Sequence, residues 1–278
     1  MQYITKSIIL SKQNNISTNS NELNIVLPSV YYAEGAEIAL ANLYIYFSWF
    51  NVTSAFNNNS YSYLWNGVGF GVTMPDGYYS PLDMTGYLQY TMQQNGHYLQ
   101  DPNGTNVYYM SFIQNAVYYA DSVLCNAVPS SLPTNWTNPH NITLNGLCPQ
   151  LVVPPNNDFG LLLGYAPGTY PAVQQNTNYS SNSSFTPEIS PITSISVVSN
   201  LANTGDFNSV AGIIGSFSSG EIAFGGQIII DRTFPVYYAV NDGRHANVSI
   251  KFFDDKNRSL NIQDPNIIAT LNIRTIKK

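Results

Sequence analysis

Charge is what this sequence has least of. Aspartate, glutamate, lysine and arginine make up 9% of its 278 residues, against about 25% in an ordinary soluble domain. Ten basic residues stand against sixteen acidic ones, for a net charge of −6 and a pI near 4.8. A nucleic-acid-binding face needs lysines and arginines gathered on one surface. Ten dispersed cations exclude that class.

Cysteine is nearly absent too. Cys125 and Cys148 form no CxxC pair and stand near no histidine at metal-ligand spacing, which excludes a zinc site and a disulfide scaffold. Their separation permits one bridge, but the opening MQYITKSIILSKQNN is neither a signal-peptide core nor a transmembrane span. Two free thiols in a reducing compartment are therefore expected. Six Asn-x-Ser/Thr triplets, beginning at Asn51, Asn58, Asn135, Asn141, Asn182 and Asn247, are what chance supplies in a chain this rich in Asn, Ser and Thr.

Catalytic patterns are missing as well. His97, His140 and His245 lie more than forty residues apart, in no HExxH or HxH arrangement, and no G-x-S-x-G elbow offers a nucleophile. Asp76, Asp101 and Asp242 sit in turn signals, and no pair of carboxylates stands out as a glycosidase couple. Asp254, Asp255 and Asn257 resemble a cation loop in composition, yet Lys256 and Arg258 oppose a cation and no bidentate glutamate follows; a turn is expected there. GVGFG at 67–71 and AFGG at 223–226 do not run from strand into helix, so they read as bends or bulges. No catalytic, cofactor-binding or metal-ligating residue is singled out, and no enzyme is expected.

What is present is aromatic and neutral: 21 tyrosines and 13 phenylalanines, with 13% aromatic residues overall. Such a surface repels its own copies weakly and offers the commonest interface anchors, so permanent assembly with other subunits is expected. Period-two alternation recurs from end to end. Strands are expected at Ile4–Leu10, Leu23–Leu27, Glu37–Phe50, Tyr61–Leu64, Gly69–Met74, Asn106–Gln114 and Ala116–Val123. Others follow at Ile192–Val198, Gln227–Ile230, Val236–Ala239, Asn247–Phe253 and Asn266–Ile276. Asn66-Gly67, Asp76-Gly77, Asn103-Gly104, Asn145-Gly146 and Asp242-Gly243 mark turns.

One helix interrupts the pattern. Ser80 fits an N-cap, Pro81 the first helical position, Asp83 the reciprocal cap and Asn95-Gly96 the stop, predicting a helix over Pro81–Gln94. From Val128 to Pro187 the texture changes to Pro, Asn and Ser around DFGLLLGYAPGTYP, which reads as a loop-rich region inserted in a single domain of 1–278. The last two strands read as a hairpin through the turn at 254–259. In the last, Ile267, Ala269, Leu271 and Ile273 share the buried face, and Arg274, Lys277 and Lys278 emerge at one end. Trp49, Trp65 and Trp136, with many tyrosines and asparagines, keep open a sugar-binding surface, although Tyr44, Tyr46 and Trp49 lie in a run that looks buried.

Five stretches carry a resemblance: VYYAEGAEIALANLYIYFSWFNVT, PDGYYSPLDMTGYLQYTMQQNGHYL, NVYYMSFIQNAVYYAD, FGLLLGYAPGTYP and VSIKFFDDKNRSL with IIATLNIR. In their order and texture they are similar to the penton (vertex, minor capsid) proteins of virophages and Polinton-type elements, Sputnik-like pentons most of all. The resemblance implies an all-β, single jelly-roll sandwich with one short helix and a loop-rich insertion. It further implies a homopentamer at the fivefold vertices of an icosahedral virus capsid, among trimers of a double-jelly-roll major capsid protein, in virions assembled in the host cytoplasm. The three positive charges of Arg274, Lys277 and Lys278 would make at most a weak interior contact with packaged DNA. The alternative is a carbohydrate- or receptor-binding sandwich, as in a fibre-like attachment protein.

Overall fold

In a computed structural model that describes residues 2–203 and 212–276, the chain falls into two compact units, one of 1–49 with 192–278 and one of 50–191. The first unit opens with β1 (Tyr3–Ser11), β2 (Glu22–Ala33) and β3 (Glu37–Tyr46), and the chain then leaves it after Trp49.

The second unit follows with β4 (Ser60–Trp65), β5 (Val68–Thr73), α1 (Pro81–Gln94), β6 (Leu99–Gln100), β7 (Asn106–Val107), β8 (Met110–Asn115) and β9 (Ala120–Cys125). It ends with β10 (Gln150–Val153), α2 (Phe159–Leu163), β11 (Gly168–Tyr170) and β12 (Tyr179–Asn182). The first unit resumes with β13 (Ile195–Ser199), β14 (Ile213–Phe217), β15 (Gln227–Asp231), β16 (Tyr238–Ala239), β17 (Gly243–Asp254) and β18 (Ile268–Ile276).

In the first unit the pairing has a simple logic. The outermost strands pair with each other, β1 with β18; moving inward, β2 pairs with β17, β3 with β15, and β13 with β14, all antiparallel. This is one long hairpin, and rolling it up brings β18 beside β3 and β17 beside β13. A five-stranded sheet, ordered β1-β18-β3-β15 with β16 also paired to β3, and a four-stranded sheet, ordered β14-β13-β17-β2, result. Eight strands wound as two Greek keys are a jelly roll.

The sequence pattern explains which faces close the sandwich. Ile38, Leu40, Leu43 and Leu271 point inward from one sheet, and Val248, Ile250 and Phe252 from the other, all at or below 1% exposure. Pro28 sits inside β2, which is tolerated because β2 is an edge strand.

The expected closing hairpin is corrected here. β17 and β18 lie in different sheets, and the segment from 255 to 267 carries the chain from one to the other. A tight turn does form at its start, where Asp254 accepts from the backbone N–H groups of Lys256 and Arg258 and from Arg258 Nε at 2.7 Å. It reverses the chain only as far as the Phe253–Ser259 bridge. The faces of both strands are as expected, with Ile267, Ala269, Leu271 and Ile273 buried.

The second unit builds its own core. Sheets ordered β11-β10-β4-β5 and β12-β9-β8 enclose Tyr63, Phe112, Phe159 and Tyr165, each at or below 1% exposure. The Asn66-Gly67 pair, with φ of 52° and 79°, forms the two-residue turn between β4 and β5 that positive φ at both positions requires. In α1, Ser80 and Asp83 cap each other reciprocally, and Met84, Leu88 and Met92 form the buried stripe, while Leu82 faces solvent.

The expected 106–114 strand is split at Tyr108-Tyr109, and the one expected from Ala116 begins at Ala120, because 116–119 is the turn of the β8–β9 hairpin. The stretch 128–187 holds the short elements β10, α2, β11 and β12 among its loops. Composition marks that stretch alone, whereas the compact unit holding it runs from Phe50 to Pro191.

Candidate functional site

Between the free edges of the two jelly-roll sheets lies an open groove of about 740 Å³. Its existence follows from how β1 is buried. The even-numbered side chains of β1 face the sandwich interior: Leu10 is fully buried, Ile8 half-buried and Ile4 49% exposed. The interior is closed at Leu10 and opens toward Ile4. Leu27 and Tyr31 of β2 form the opposing wall, with Ile273 of β18 as the floor.

Two charges enter this apolar setting, Lys6 from β1 and Glu34 just beyond β2. The groove is continuous with exposed apolar side chains on the same edge, Val30 and Tyr32 among them. An exposed row of apolar residues beside unpaired strand edges is a docking surface unless something covers it.

The opposite edge of the unit is also apolar. Beyond β15, Phe234 is 91% exposed and Val236 more than half exposed, and Ile222 and Phe224 precede the strand. Arg232 turns inward there and donates to the Ser216 carbonyl at 3.4 Å.

The histidines are dispersed. His97 belongs to the second unit and is buried in an aromatic box: its ring stacks on Trp65 at 4.6 Å and meets Phe70 edge-on at 4.5 Å. The Asn95 amide donates to the Tyr63 hydroxyl at 3.0 Å, and that hydroxyl shares a 2.8 Å hydrogen bond with His97 Nδ1. Burial holds the imidazole near pKa 4, well below its usual range. His140 bonds the Tyr98 hydroxyl at 3.0 Å, and His245 the Asn241 carbonyl at 2.7 Å.

Asp121, on β9, is 1% exposed, and neither of its carboxylate oxygens has a hydrogen-bond partner among the described residues. Burial pushes its pKa up to about 6. Both thiols are buried and unpaired, and burial also raises that of Cys125. Among the described residues no three His, Cys, Asp or Glu side chains gather as a metal site would require. No described helix is long and apolar enough to cross a bilayer.

The proposed sugar platform loses two of its three tryptophans. Trp49 and Trp65 are 3% and 5% exposed, so neither offers a face to a ligand, and Trp136 is half-buried. Tyr44 and Tyr46, expected to be buried with Trp49, are only partly buried, on the outer face of β3. Arg274, expected to emerge at one end of the sandwich, is paired with Glu37 and packed on Tyr3 and Tyr237. Lys277 and Lys278 lie outside the described residues.

The groove was not foreseen from the sequence. Its one signal is the alternation of β1, where Lys6 interrupts an inward series of Ile4, Ile8 and Leu10.

No protein-family model matches the chain, and no curated protein matches it. Among solved structures it is similar to the crystal structure of the mavirus penton protein, at 10% identity and a TM-score of 0.48, over 98% of each chain. A likeness of that depth assigns neither family nor role, and nothing in these comparisons supports a Sputnik-like relative in particular.

Proposed function

We propose that this chain is a structural vertex subunit of an icosahedral virus capsid, a penton-type minor capsid protein acting as a homopentamer among major capsid trimers. The observation that carries the reading is the jelly roll of the first unit with apolar side chains exposed on both of its lateral edges, in a chain with 9% charged residues. A monomer that stayed dilute would cover or charge such edges. The sequence stretches that resemble virophage pentons run in the same order along the chain and support the same role. No catalysis belongs to this reading. Contact with packaged DNA would fall to Lys277 and Lys278, since Arg274 is held by Glu37 and two rings.

Native mass spectrometry and negative-stain imaging of the purified protein test the proposal. A ring of five copies is expected. A protein that stays monomeric across micromolar concentrations, or a trimer, overturns it.

One observation favours the attachment reading as a second possibility. The β8–β9 hairpin turn presents Val117, Tyr118 and Tyr119 at 86%, 71% and 73% exposure. Exposed tyrosine faces are what sugar rings and protein receptors stack upon. Retention of the wild-type chain on a glycan array, lost in Tyr118→Ser with Tyr119→Ser, would establish that role.

A further inference from the structure

We propose that the groove between β1 and β2 receives Phe234 of a second copy of this chain, head to tail, so that successive copies close into a ring. The inference rests on the capsid-subunit reading for the number of copies in that ring, and on the geometry of the first unit for the contact itself.

Phe234 is built as a knob. It stands between Thr233 and Pro235 in the connection from β15 to β16, with 91% of its surface exposed. Proline restricts the residue before it to extended backbone, so the ring is presented on a stiffened segment rather than a slack loop. A phenylalanine that touches almost nothing in its own chain gains the whole of its burial from a partner. The groove is the complementary hole, open and walled by Ile4, Ile8, Leu27 and Tyr31.

The two features lie on opposite edges of one sheet and at one level. Across the ladders Lys6 pairs with Ile273, Ile273 with Ile38, and Ile38 with Tyr238. One rung therefore runs from the groove to the end of the knob's connection. The other end of that connection, Asp231, pairs with Asn42, which pairs with Thr270 and so with Ile9. The connection that carries Phe234 thus starts at the level of Ile9 and ends at that of Lys6, and Lys6, Ser7 and Ile8 line the groove.

A contact between features on different edges is heterologous, not self-complementary, and cannot stop at a symmetric dimer. Repetition of a heterologous contact generates a ring when its rotation closes, and a shared level of knob and hole along the strands is what a ring with its axis along the strands requires.

Charge agrees with the seating. The groove carries Lys6, and the strand end leading to the knob carries the exposed Asp231. Seating Phe234 brings the Asp231 end of one copy toward Lys6 of the next. In a chain with so few charges, one such pair favours a single register for the contact.

The test uses the full chain and reads oligomer mass by mass photometry over a concentration series, with melting curves to confirm folding. Phe234→Asp, at a position that touches little in its own chain, is expected to melt as wild type and to raise the half-assembly concentration at least tenfold. Lys6→Asp and Asp231→Lys are each expected to weaken assembly, and the double variant to recover it.

Mixing distinguishes the polarity. Phe234→Asp copies keep the groove, and Ile4→Asp copies keep the knob, so an equimolar mixture is expected to stop at heterodimers. A wild-type ring left unchanged by Phe234→Asp overturns this interface while leaving the capsid reading intact. A wild-type chain that stays monomeric overturns both. Rings that form from the mixture as readily as from wild type overturn the head-to-tail contact.

Discussion

Arg274 donates through Nε to Oε2 of Glu37 at 2.6 Å, directly across the ladder that joins β18 to β3. Its guanidinium also lies 4.3 Å from the centre of the Tyr3 ring and 3.6 Å from that of Tyr237. One side chain therefore ties β1, β18, β3 and the β15–β16 connection together on the outer face of the sheet. Guanidinium groups do this and ammonium groups do not, because a planar fork can bond a carboxylate and stack on rings at once. Arg274→Ala is expected to lower the melting temperature of the protein, and Arg274→Lys to restore only part of the loss. Equal melting of the lysine variant and wild type would show that charge alone matters here.

The second prediction concerns pH, and it sets two buried groups against each other. His97 has a folded pKa near 4, below its ordinary value of 6.5, so the unfolded chain takes up its proton more readily. Its contribution is complete above pH 6.5 and is lost as pH falls toward 4. Asp121 has a folded pKa near 6, above its ordinary 3.8, so here the folded chain holds the proton. Its contribution is complete below pH 3.8 and is lost as pH rises toward 6. Between about pH 4 and 6 the two slopes oppose.

His97→Gln is expected to become more stable relative to wild type as pH falls through that window, and Asp121→Asn less stable. Each difference should be about 1–3 kcal/mol across the window. Urea denaturation of the three proteins at several pH values measures it. Parallel curves would show that neither group is perturbed in the folded chain.

The α1 cap gives a third expectation. Ser80 Oγ accepts from the Asp83 N–H at 3.2 Å, and Asp83 Oδ2 accepts from the Ser80 N–H at 2.9 Å. Removing the cap by Ser80→Ala should cost about 1 kcal/mol. Leu88 is fully buried against the second unit's core, and Leu88→Ala should cost about 2–5 kcal/mol. Chemical denaturation separates the two, and equal, near-zero losses would contradict the observed packing of the helix.

What was legible in the sequence follows from the range of the forces that decide it. The helix was readable to the residue because its start and stop are local: Ser80, Pro81, Asp83 and Gly96 act within one turn of themselves. The faces of β17 and β18 were readable because alternation is local as well. Their partners were not. Strands near each other in sequence suggest a hairpin, but the roll sends β17 to β2 and β18 to β1, pairings set by cores more than two hundred residues apart.

The short strands β10, β11 and β12 were missed because three or four residues carry too little alternation to register. The five-residue helix α2 was missed because its Gly160 and Gly164 read as loop. Gly164, at φ 74°, ends that helix where a Cβ would meet the Phe185 carbonyl. The groove depends on how far two edge strands diverge, which no single strand's sequence records.

The last prediction tests the roll itself. Leu271 is fully exposed to the core and to no solvent, and it occupies a rung with Ile8 on one side and Leu40 on the other. A carboxylate at that point would lack any hydrogen-bonding partner supplied by its apolar neighbours, and burying an unpaired charge costs more than a domain's margin of stability allows. Leu271→Asp is expected to abolish the cooperative melt of the jelly roll and any assembly with it. Deleting Lys277 and Lys278, which follow the last residue of β18, should leave both unchanged. A folded, assembling Leu271→Asp protein would mean that β18 does not lie between β1 and β3, since no central strand of a closed sandwich can turn a charged side chain inward without opening it.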